Sequence, residues 1–259
     1  MENLNQSNSN ISGMMSLKEQ VGTGVLGACF LLGVPANVAV VVFLLRHLKR
    51  DNFTLHLMLN LAASDILRLL CVPLWIYNLS STWALGRAFC KLLYLLVFMS
   101  SYCSVLTVTL MSVQRYVVVL HRSQWTKLGR KGEKLLLLSL WTLTLILSSP
   151  ESVQADLAER KSKVCTRTPD EVFLGILLCE TLLGFVLPFF VMAMFYFCLH
   201  KKVKQSPLSG NPRLARLVIA ILFTFLVLGM PCHVMNLKMD SGHAHSRYRK
   251  HINRYTPPS

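Results

Sequence analysis

Three charged side chains stand out inside strongly apolar stretches of the sequence: Asp65, Arg68 and Glu180. An ionised group within a bilayer costs at least ~2.5 kcal/mol on insertion scales, so charged residues in such surroundings usually serve a function. The Asp65 carboxylate has the chemistry to coordinate a hard cation through oxygen, or to stay protonated and hydrogen-bonded. Arg68 follows it by one helical turn, so the two side chains can instead pair with each other.

The apolar residues form six blocks, each close to the ~20 residues that a membrane-spanning helix needs. The blocks cover residues 21–45, 54–79, 92–120, 134–154, 172–199 and 214–237, and we number them spans one to six. Only helices and closed barrels satisfy their backbone groups in hydrocarbon, and no run of alternating ten-residue strands is present. The sequence therefore predicts an all-α fold, a transmembrane helical bundle. About twenty polar residues without a cleavage pattern precede span one, so we expect no removable signal peptide.

The net charge of +15 is distributed by topology, which argues against nucleic-acid binding. Lys and Arg concentrate after span one, between spans three and four and between spans five and six. The positive-inside rule then places the N-terminus on the outer side of the membrane, which we expect to be the plasma membrane. Asn5 and Asn10 begin glycosylation triplets in this outer tail, whereas the triplet at Asn52 falls on the inner side and that at Asn78 falls too close to the membrane.

Two of the eight cysteines differ from the rest in position. Cys90 and Cys165 fall at the predicted outer face, where the compartment is oxidising, and a disulfide between them would tie the loop after span four to the start of span three. The others lie in apolar blocks, where a thiol mostly packs as a small hydrophobe. We find no nucleophile–base pair, metal-ligand cluster or phosphate-binding loop, so the sequence does not indicate an enzyme.

Several short motifs recur in the order and spacing of one receptor family. The matching residues are Pro35-Ala36-Asn37 with Val40, Leu59-Asn60-Leu61-Ala62-Ala63-Ser64-Asp65, Trp83, Gly86, Cys90, Arg115, Trp141, Pro150, Pro188, Tyr196, Phe225 and Pro231. The chain thus resembles the rhodopsin-like (class A) G-protein-coupled receptors. Within them it is most similar to the leukotriene B4 receptors, through Met99-Ser100-Ser101-Tyr102-Cys103-Ser104, Ser112-Val113-Gln114-Arg115, Glu180-Thr181, Phe185-Val186-Leu187-Pro188-Phe189 and Pro231-Cys232-His233-Val234-Met235-Asn236-Leu237.

This resemblance implies a ligand pocket between the outer halves of the helices. Its expected lining is Tyr94, Val97, Phe98 and Ser101 on span three, Glu180 on span five, and His233 and Asn236 on span six. Val97 stands where amine receptors of the family carry an acid, which disfavours an amine ligand. An apolar pocket with a cationic rim at Arg160, Lys163 or Arg167 suits a long-chain lipid carboxylate, such as leukotriene B4 or a related hydroxy fatty acid, although these loop residues can equally be solvated surface.

The resemblance also assigns residues to signalling. Asp65 and Ser104 correspond to the sodium and activation site, although an Arg68 paired with Asp65 would displace the ion. Arg115 and Tyr196 correspond to the contacts with the heterotrimeric G protein, in a pathway of chemotaxis and inflammatory response. Gln114 replaces the acid that usually pairs with the arginine of this motif, and Gly229 replaces the tryptophan expected two positions before Pro231.

No apolar run long enough to span follows Leu237, so the expected seventh helix is not found. We divide the chain into an outer tail, residues 1–20, a receptor bundle of six helices, residues 21–237, and a divergent basic tail, residues 238–259. Two hypotheses follow. The chain is either a signalling lipid receptor, or a truncated variant that is retained in the cell or modulates the full-length receptor by forming a receptor homo- or hetero-oligomer.

Overall fold

The computed structural model describes residues 17–47, 53–120, 122–159, 163–168 and 172–204. Within these ranges five helices are long and apolar enough to cross a membrane, and they correspond to predicted spans one to five. The all-α transmembrane bundle is therefore confirmed for the described part of the chain. Predicted span six lies outside it, as do Asn5, Asn10, Arg160, His233 and Asn236.

The helices are longer than the apolar blocks that predicted them. Span one is α1 (Leu17–His47), span two is α2 (Phe53–Leu70) with α3 (Val72–Ser80), span three is α4 (Gly86–Leu120), span four is α5 (Arg122–Gln154), and span five is α6 (Phe173–Thr181), a π-helical turn (Leu182–Val186) and α7 (Leu187–Lys204). The backbone hydrogen bonds of a helix continue past the hydrocarbon into polar residues, which a hydrophobicity pattern does not record. Span three accordingly begins at Gly86 instead of residue 92.

Two spans are interrupted at residues that favour a break. Span two bends at Cys71, directly before a helix with Pro73 in its first turn, where the missing proline amide hydrogen costs nothing. The helix of span four has a non-helical residue near its start, Gly129, at φ 60° and ψ 176°. Glycine has no Cβ, so it adopts this conformation without steric penalty.

A β-hairpin follows span four, where the sequence predicted only a loop. Strands β1 (Ala155–Glu159) and β2 (Lys163–Arg167) pair antiparallel, with Ala155 opposite Arg167 and Glu159 opposite Lys163. Strands of five residues are too short to give a clear alternating pattern, which explains why sequence reasoning missed them. We call this side of the bundle the hairpin end and the opposite side, at the end of span three, the Arg115 end.

The buried core is divided between the two ends. At the hairpin end, the cluster contains Cys71, Trp83, Cys90, Leu93, Tyr94, Ala155 and Cys165. Towards the Arg115 end, a smaller cluster contains Phe53, Leu57 and Met111. Asn60 joins three helices between them, because it donates to Thr107 Oγ1 at 2.8 Å and accepts from Trp141 Nε1 at 2.9 Å. Large apolar side chains such as Leu32 and Phe43 face outward, as expected of helices that contact lipid.

Candidate ligand site at the hairpin end

A disulfide attaches the hairpin to span three, as the sequence predicted. Cys90 and Cys165 are bonded, with their Cα atoms 5.6 Å apart and 75 positions between them in the sequence. Both residues are fully buried in the core cluster. The bond therefore holds β2 across the top of the bundle.

Asn78 holds the same strand by its side-chain amide, which sequence reasoning did not foresee. Its Nδ2 donates to the Cys165 carbonyl at 2.8 Å, and its Oδ1 accepts from the Cys165 amide at 2.9 Å. Asn78 is buried and both its amide groups are occupied. This agrees with the prediction that its glycosylation triplet is not used. The Trp83 amide adds a further attachment, since it donates to the Lys163 carbonyl at 2.8 Å.

Arg167 and Glu180 form a buried ion pair between β2 and span five. Arg167 Nη1 lies 2.9 Å from Glu180 Oε2, and the two side chains are 12% and 7% exposed. The guanidinium also lies over the rings of Phe98 and Phe173, 5.4 Å from each centroid. Of the three predicted rim cations, Lys163 is exposed, whereas Arg167 is enclosed by aromatic rings. The interpretation of Arg167 as solvated surface is therefore wrong.

The predicted wall on span three lies next to this ion pair. Tyr94 stacks on Phe98 with ring centroids 6.1 Å apart, and its other side meets Trp75 edge-on at 5.2 Å. Phe98 contacts Arg167 directly, so the structure brings this part of span three to Glu180. The Ser101 hydroxyl donates to the Val97 carbonyl at 2.6 Å within its own helix. The site thus combines aromatic surface with one cation and its counter-ion.

A second buried acid lies near this site, and sequence reasoning missed it. Glu151 is 1% exposed, and Tyr102 donates a hydrogen bond to its Oε1 at 3.3 Å. Span five approaches Tyr102 closely, because a Cβ at Gly184 would stand 3.3 Å from the tyrosine ring. The signal was available, since Glu151 follows Pro150 inside predicted span four, but the sequence analysis did not single it out.

Asp65 accepts a hydrogen bond from the neighbouring span three. Ser104 Oγ donates to Asp65 Oδ1 at 2.6 Å and lies 3.0 Å from Ser64 Oγ. These oxygen donors fit the needs of a hard cation such as sodium. The predicted alternative, an ion pair between Asp65 and Arg68, is not formed, and Arg68 is exposed. The two ion pairs between described residues, Arg87–Asp156 and Arg167–Glu180, both lie at the hairpin end.

At the Arg115 end, neutral contacts hold the helices. Gln114 is buried, and its amide exchanges two hydrogen bonds with Thr54 of span two, at 2.8 and 3.2 Å. Tyr116 packs edge-on against Phe195, with centroids 5.1 Å apart, beside the half-buried Tyr196. The Gln114 amide therefore joins span three to span two. Among the described residues, no group of three or more His, Cys, Asp or Glu is placed to hold a metal ion.

Comparisons with known proteins agree with this architecture. Residues 36–255 match the family described as 7 transmembrane receptor (rhodopsin family). Leukotriene B4 receptor 1 of Homo sapiens is 30% identical over 219 residues, 82% of this chain and 62% of that receptor. C-C chemokine receptor type 7 of Homo sapiens is 28% identical over 78% of the chain and 56% of the relative, and somatostatin receptor type 5 of Bos taurus is 28% identical over 80% and 59%.

The chain is therefore a bundle of membrane-spanning helices, and it belongs to the rhodopsin family of seven-transmembrane receptors. It is a multi-pass membrane protein and not an enzyme. The chain spans less than two thirds of the length of each of these relatives.

Proposed function

We propose that this chain binds a long-chain lipid carboxylate at the hairpin end, namely leukotriene B4 or a related hydroxy fatty acid. We further propose that it belongs to a receptor that signals through a heterotrimeric G protein in chemotaxis and inflammation. The hairpin end faces the outside of the cell in this proposal. Leukotriene B4 receptor 1 is among the relatives, but so are receptors named for chemokines and somatostatin, so the ligand has to be argued from the site.

The observation that carries the proposal is the environment of Arg167. Its guanidinium is enclosed by two aromatic rings. Among the described residues, the hydrogen bond that it makes is the one from Nη1 to Glu180. A guanidinium has five N–H donors in a planar fork, and a carboxylate pairs with two of them at once. Arg167 therefore retains donors with which a ligand carboxylate can pair while Glu180 stays in place.

The surroundings of the ion pair favour a lipid over an amine. Tyr94, Phe98 and Phe173 supply apolar surface for a hydrocarbon chain. Val97 offers no carboxylate to an ammonium group, and the carboxylate of Glu180 is already neutralised by Arg167. A ligand with one anionic head and an apolar tail matches both features.

The other functional residues complete the proposal. Asp65 and Ser104 hold a sodium ion that stabilises one state of the bundle, and Arg115 with Tyr196 contacts the G protein at the opposite end. The predicted glycosylation sites Asn5 and Asn10 and the predicted ligand contacts His233 and Asn236 lie outside the described residues. A sodium ion would supply a fixed positive charge at Asp65, with serine hydroxyls as further oxygen ligands.

The test is direct binding of tritiated leukotriene B4 to the purified chain in lipid nanodiscs. We expect saturable binding by the wild type and at least a 10-fold loss of affinity in Arg167→Gln, since the charge-assisted bidentate contact is removed. Arg87→Gln is the matched control. Arg87 is also an arginine at the hairpin end, paired with Asp156 at 2.7 Å, but it is largely exposed.

Each result has a defined meaning. Absence of saturable binding by a monodisperse wild-type chain would contradict the lipid proposal, as would equal losses in Arg167→Gln and Arg87→Gln. G-protein nucleotide exchange measured with the same preparation separates the two hypotheses on behaviour. Binding with exchange supports a signalling receptor, and binding without exchange supports a variant that acts through association with a longer receptor.

A further inference from the structure

Three buried side-chain oxygens have no hydrogen-bond partner and lie near the hairpin ends of spans four and five. They are Glu151 Oε2, Gln154 Oε1 and Thr181 Oγ1, and in the described part of the chain the one other such atom is Thr23 Oγ1 in span one. A buried polar atom without a hydrogen bond costs ~1–3 kcal/mol. Spans four and five pack against each other here, so this cost is concentrated at one corner of the bundle.

Glu151 is only half satisfied. Tyr102 occupies Oε1 from span three, whereas Oε2 has no partner although the residue is 1% exposed. Gln154, one turn nearer the hairpin, is 5% exposed, and its backbone carbonyl accepts from Thr168 while its side-chain oxygen remains unpaired. Residues three apart on a helix are neighbours on its surface. Two hydrogen-bond acceptors thus lie next to each other on span four without a donor.

The Glu151 carboxylate lies about one helical turn deeper than the Arg167–Glu180 pair. Tyr102, which binds Glu151, follows Phe98 by four residues, and Phe98 is the ring beneath Arg167. Gly184, which contacts Tyr102, follows Glu180 by four residues on span five. At 1.5 Å per residue, one turn of this length is roughly 6 Å. A hydroxyl a few bonds along the chain from a carboxylate at Arg167 falls at the depth of Glu151.

We propose that Glu151, with Gln154 beside it, forms a subsite that binds a hydroxyl group of the lipid ligand and so selects hydroxylated over plain fatty acids. The inference rests on the proposed function, because it requires the carboxylate of the same ligand to lie at Arg167. A hydroxyl both donates and accepts a hydrogen bond, so it satisfies Glu151 Oε2 whether or not the carboxyl carries a proton. The Gln154 amide oxygen accepts only, and a hydroxyl donates to it equally well.

A neutral hydroxyl supplies the missing donor without adding a charge to this buried corner of the bundle.

The experiment compares two fatty acids of equal chain length on the complete chain in nanodiscs. Leukotriene B4 carries hydroxyl groups, whereas arachidonic acid carries the same carboxylate and none. We expect the wild type to prefer leukotriene B4 by at least about 10-fold, and Glu151→Leu to remove this preference by weakening leukotriene B4 about 10-fold while changing arachidonic acid less than about 3-fold. Glu151→Gln, which keeps a donor and an acceptor, should retain the preference.

Asp156→Asn is the matched control, since it alters an acid five residues away in the exposed pair with Arg87 and should leave the preference unchanged. If Glu151→Leu fails to give monodisperse protein, Gln154→Leu tests the same subsite and should reduce the preference about 3-fold. Equal weakening of both fatty acids by these variants would overturn the subsite and leave the lipid proposal intact. A wild type that binds arachidonic acid and leukotriene B4 equally would do the same, and one that binds neither would overturn both.

Discussion

The two ends of the bundle are held together by different kinds of interaction. At the hairpin end, a disulfide, a paired amide contact from Asn78 and a buried ion pair join β2 to spans two, three and five. At the Arg115 end, the contacts among the described residues include two neutral hydrogen bonds between Thr54 and Gln114, the ring contact of Tyr116 with Phe195 and the apolar cluster of Phe53, Leu57 and Met111. A covalent bond, a paired amide and an ion pair thus hold the end where we place the ligand, and neutral hydrogen bonds and apolar packing contribute at the end where we place the G protein.

This difference suits a receptor. A binding site gains affinity from being organised in advance, because less conformational freedom is lost when the ligand arrives. The end that changes shape needs contacts that can be broken at low cost, since a ligand shifts an equilibrium only by its differential affinity for the two states. Gln114 stands in place of the usual acid, and the neutral hydrogen bonds that it makes with Thr54 cost less to break than a buried ion pair.

Removing the disulfide should have the largest effect on the comparison. Cys90→Ser with Cys165→Ser deletes a cross-link between residues 75 apart, which typically contributes ~2–4 kcal/mol. We expect the melting temperature in detergent to fall by roughly 5–15 °C. Cys29→Ser, which changes an exposed free thiol, is the control, and an unchanged melting temperature in the double variant would contradict the account.

Asn78→Ala should come second. It removes two hydrogen bonds and leaves the buried amide and carbonyl of Cys165 without their partner, which costs ~2 kcal/mol or more. The expected fall in melting temperature is roughly 4–8 °C. Asn37→Ala provides the comparison, because Asn37 makes one bond within its own helix, to the Gly33 carbonyl at 2.9 Å. A larger loss in Asn37→Ala than in Asn78→Ala would be inconsistent with a hairpin held by Asn78.

At the Arg115 end, Thr54→Val, Gln114→Leu and the double variant form a thermodynamic cycle. The pair exchanges two neutral hydrogen bonds, so we expect a coupling energy of about 1 kcal/mol and single-variant shifts of roughly 2–4 °C in melting temperature. Additive effects, with no coupling, would mean that these residues do not hold spans two and three together. A coupling as large as the Asn78 effect would remove the contrast between the two ends.

The smallest effect is expected at the Arg87–Asp156 pair. The side chains are 66% and 31% exposed, so solvent screens their attraction and the pair contributes at most ~1 kcal/mol. Arg87→Gln should therefore change the melting temperature by no more than about 2 °C at 150 mM salt, and by less at high salt. A shift comparable to that of Asn78→Ala would show that charge, rather than burial, stabilises the hairpin end.

The sequence predicted the helices and the disulfide because both are indicated by residue types that stand out along the chain. Uninterrupted apolar blocks indicate spans one to five, and the position of Cys90 and Cys165 at one face indicates their bond. It did not predict the hairpin, whose five-residue strands carry little pattern, or the role of Asn78, which depends on a contact 87 residues away. Hydrogen bonds between residues far apart in the sequence produce no repeating pattern from which they could be predicted.

The ion pairs show the same limit more sharply. Arg68 lies one turn from Asp65 and was considered its partner, yet it is exposed. Arg167, considered as a rim residue or solvated surface, is instead paired with Glu180 from the next span. Sequence spacing shows which charged side chains could pair within one helix. Which ion pairs form depends on how the helices and the hairpin pack.

The central claim is that Arg167 binds the carboxylate of the ligand. The most direct measurement combines a change in the protein with a change in the ligand: affinities of leukotriene B4 and its methyl ester for the wild type and for Arg167→Gln. If the carboxylate lies at Arg167, esterification should weaken binding to the wild type about 10-fold or more and hardly affect the variant. Equal losses on esterification in both proteins would contradict the claim, because the carboxylate would then be bound elsewhere.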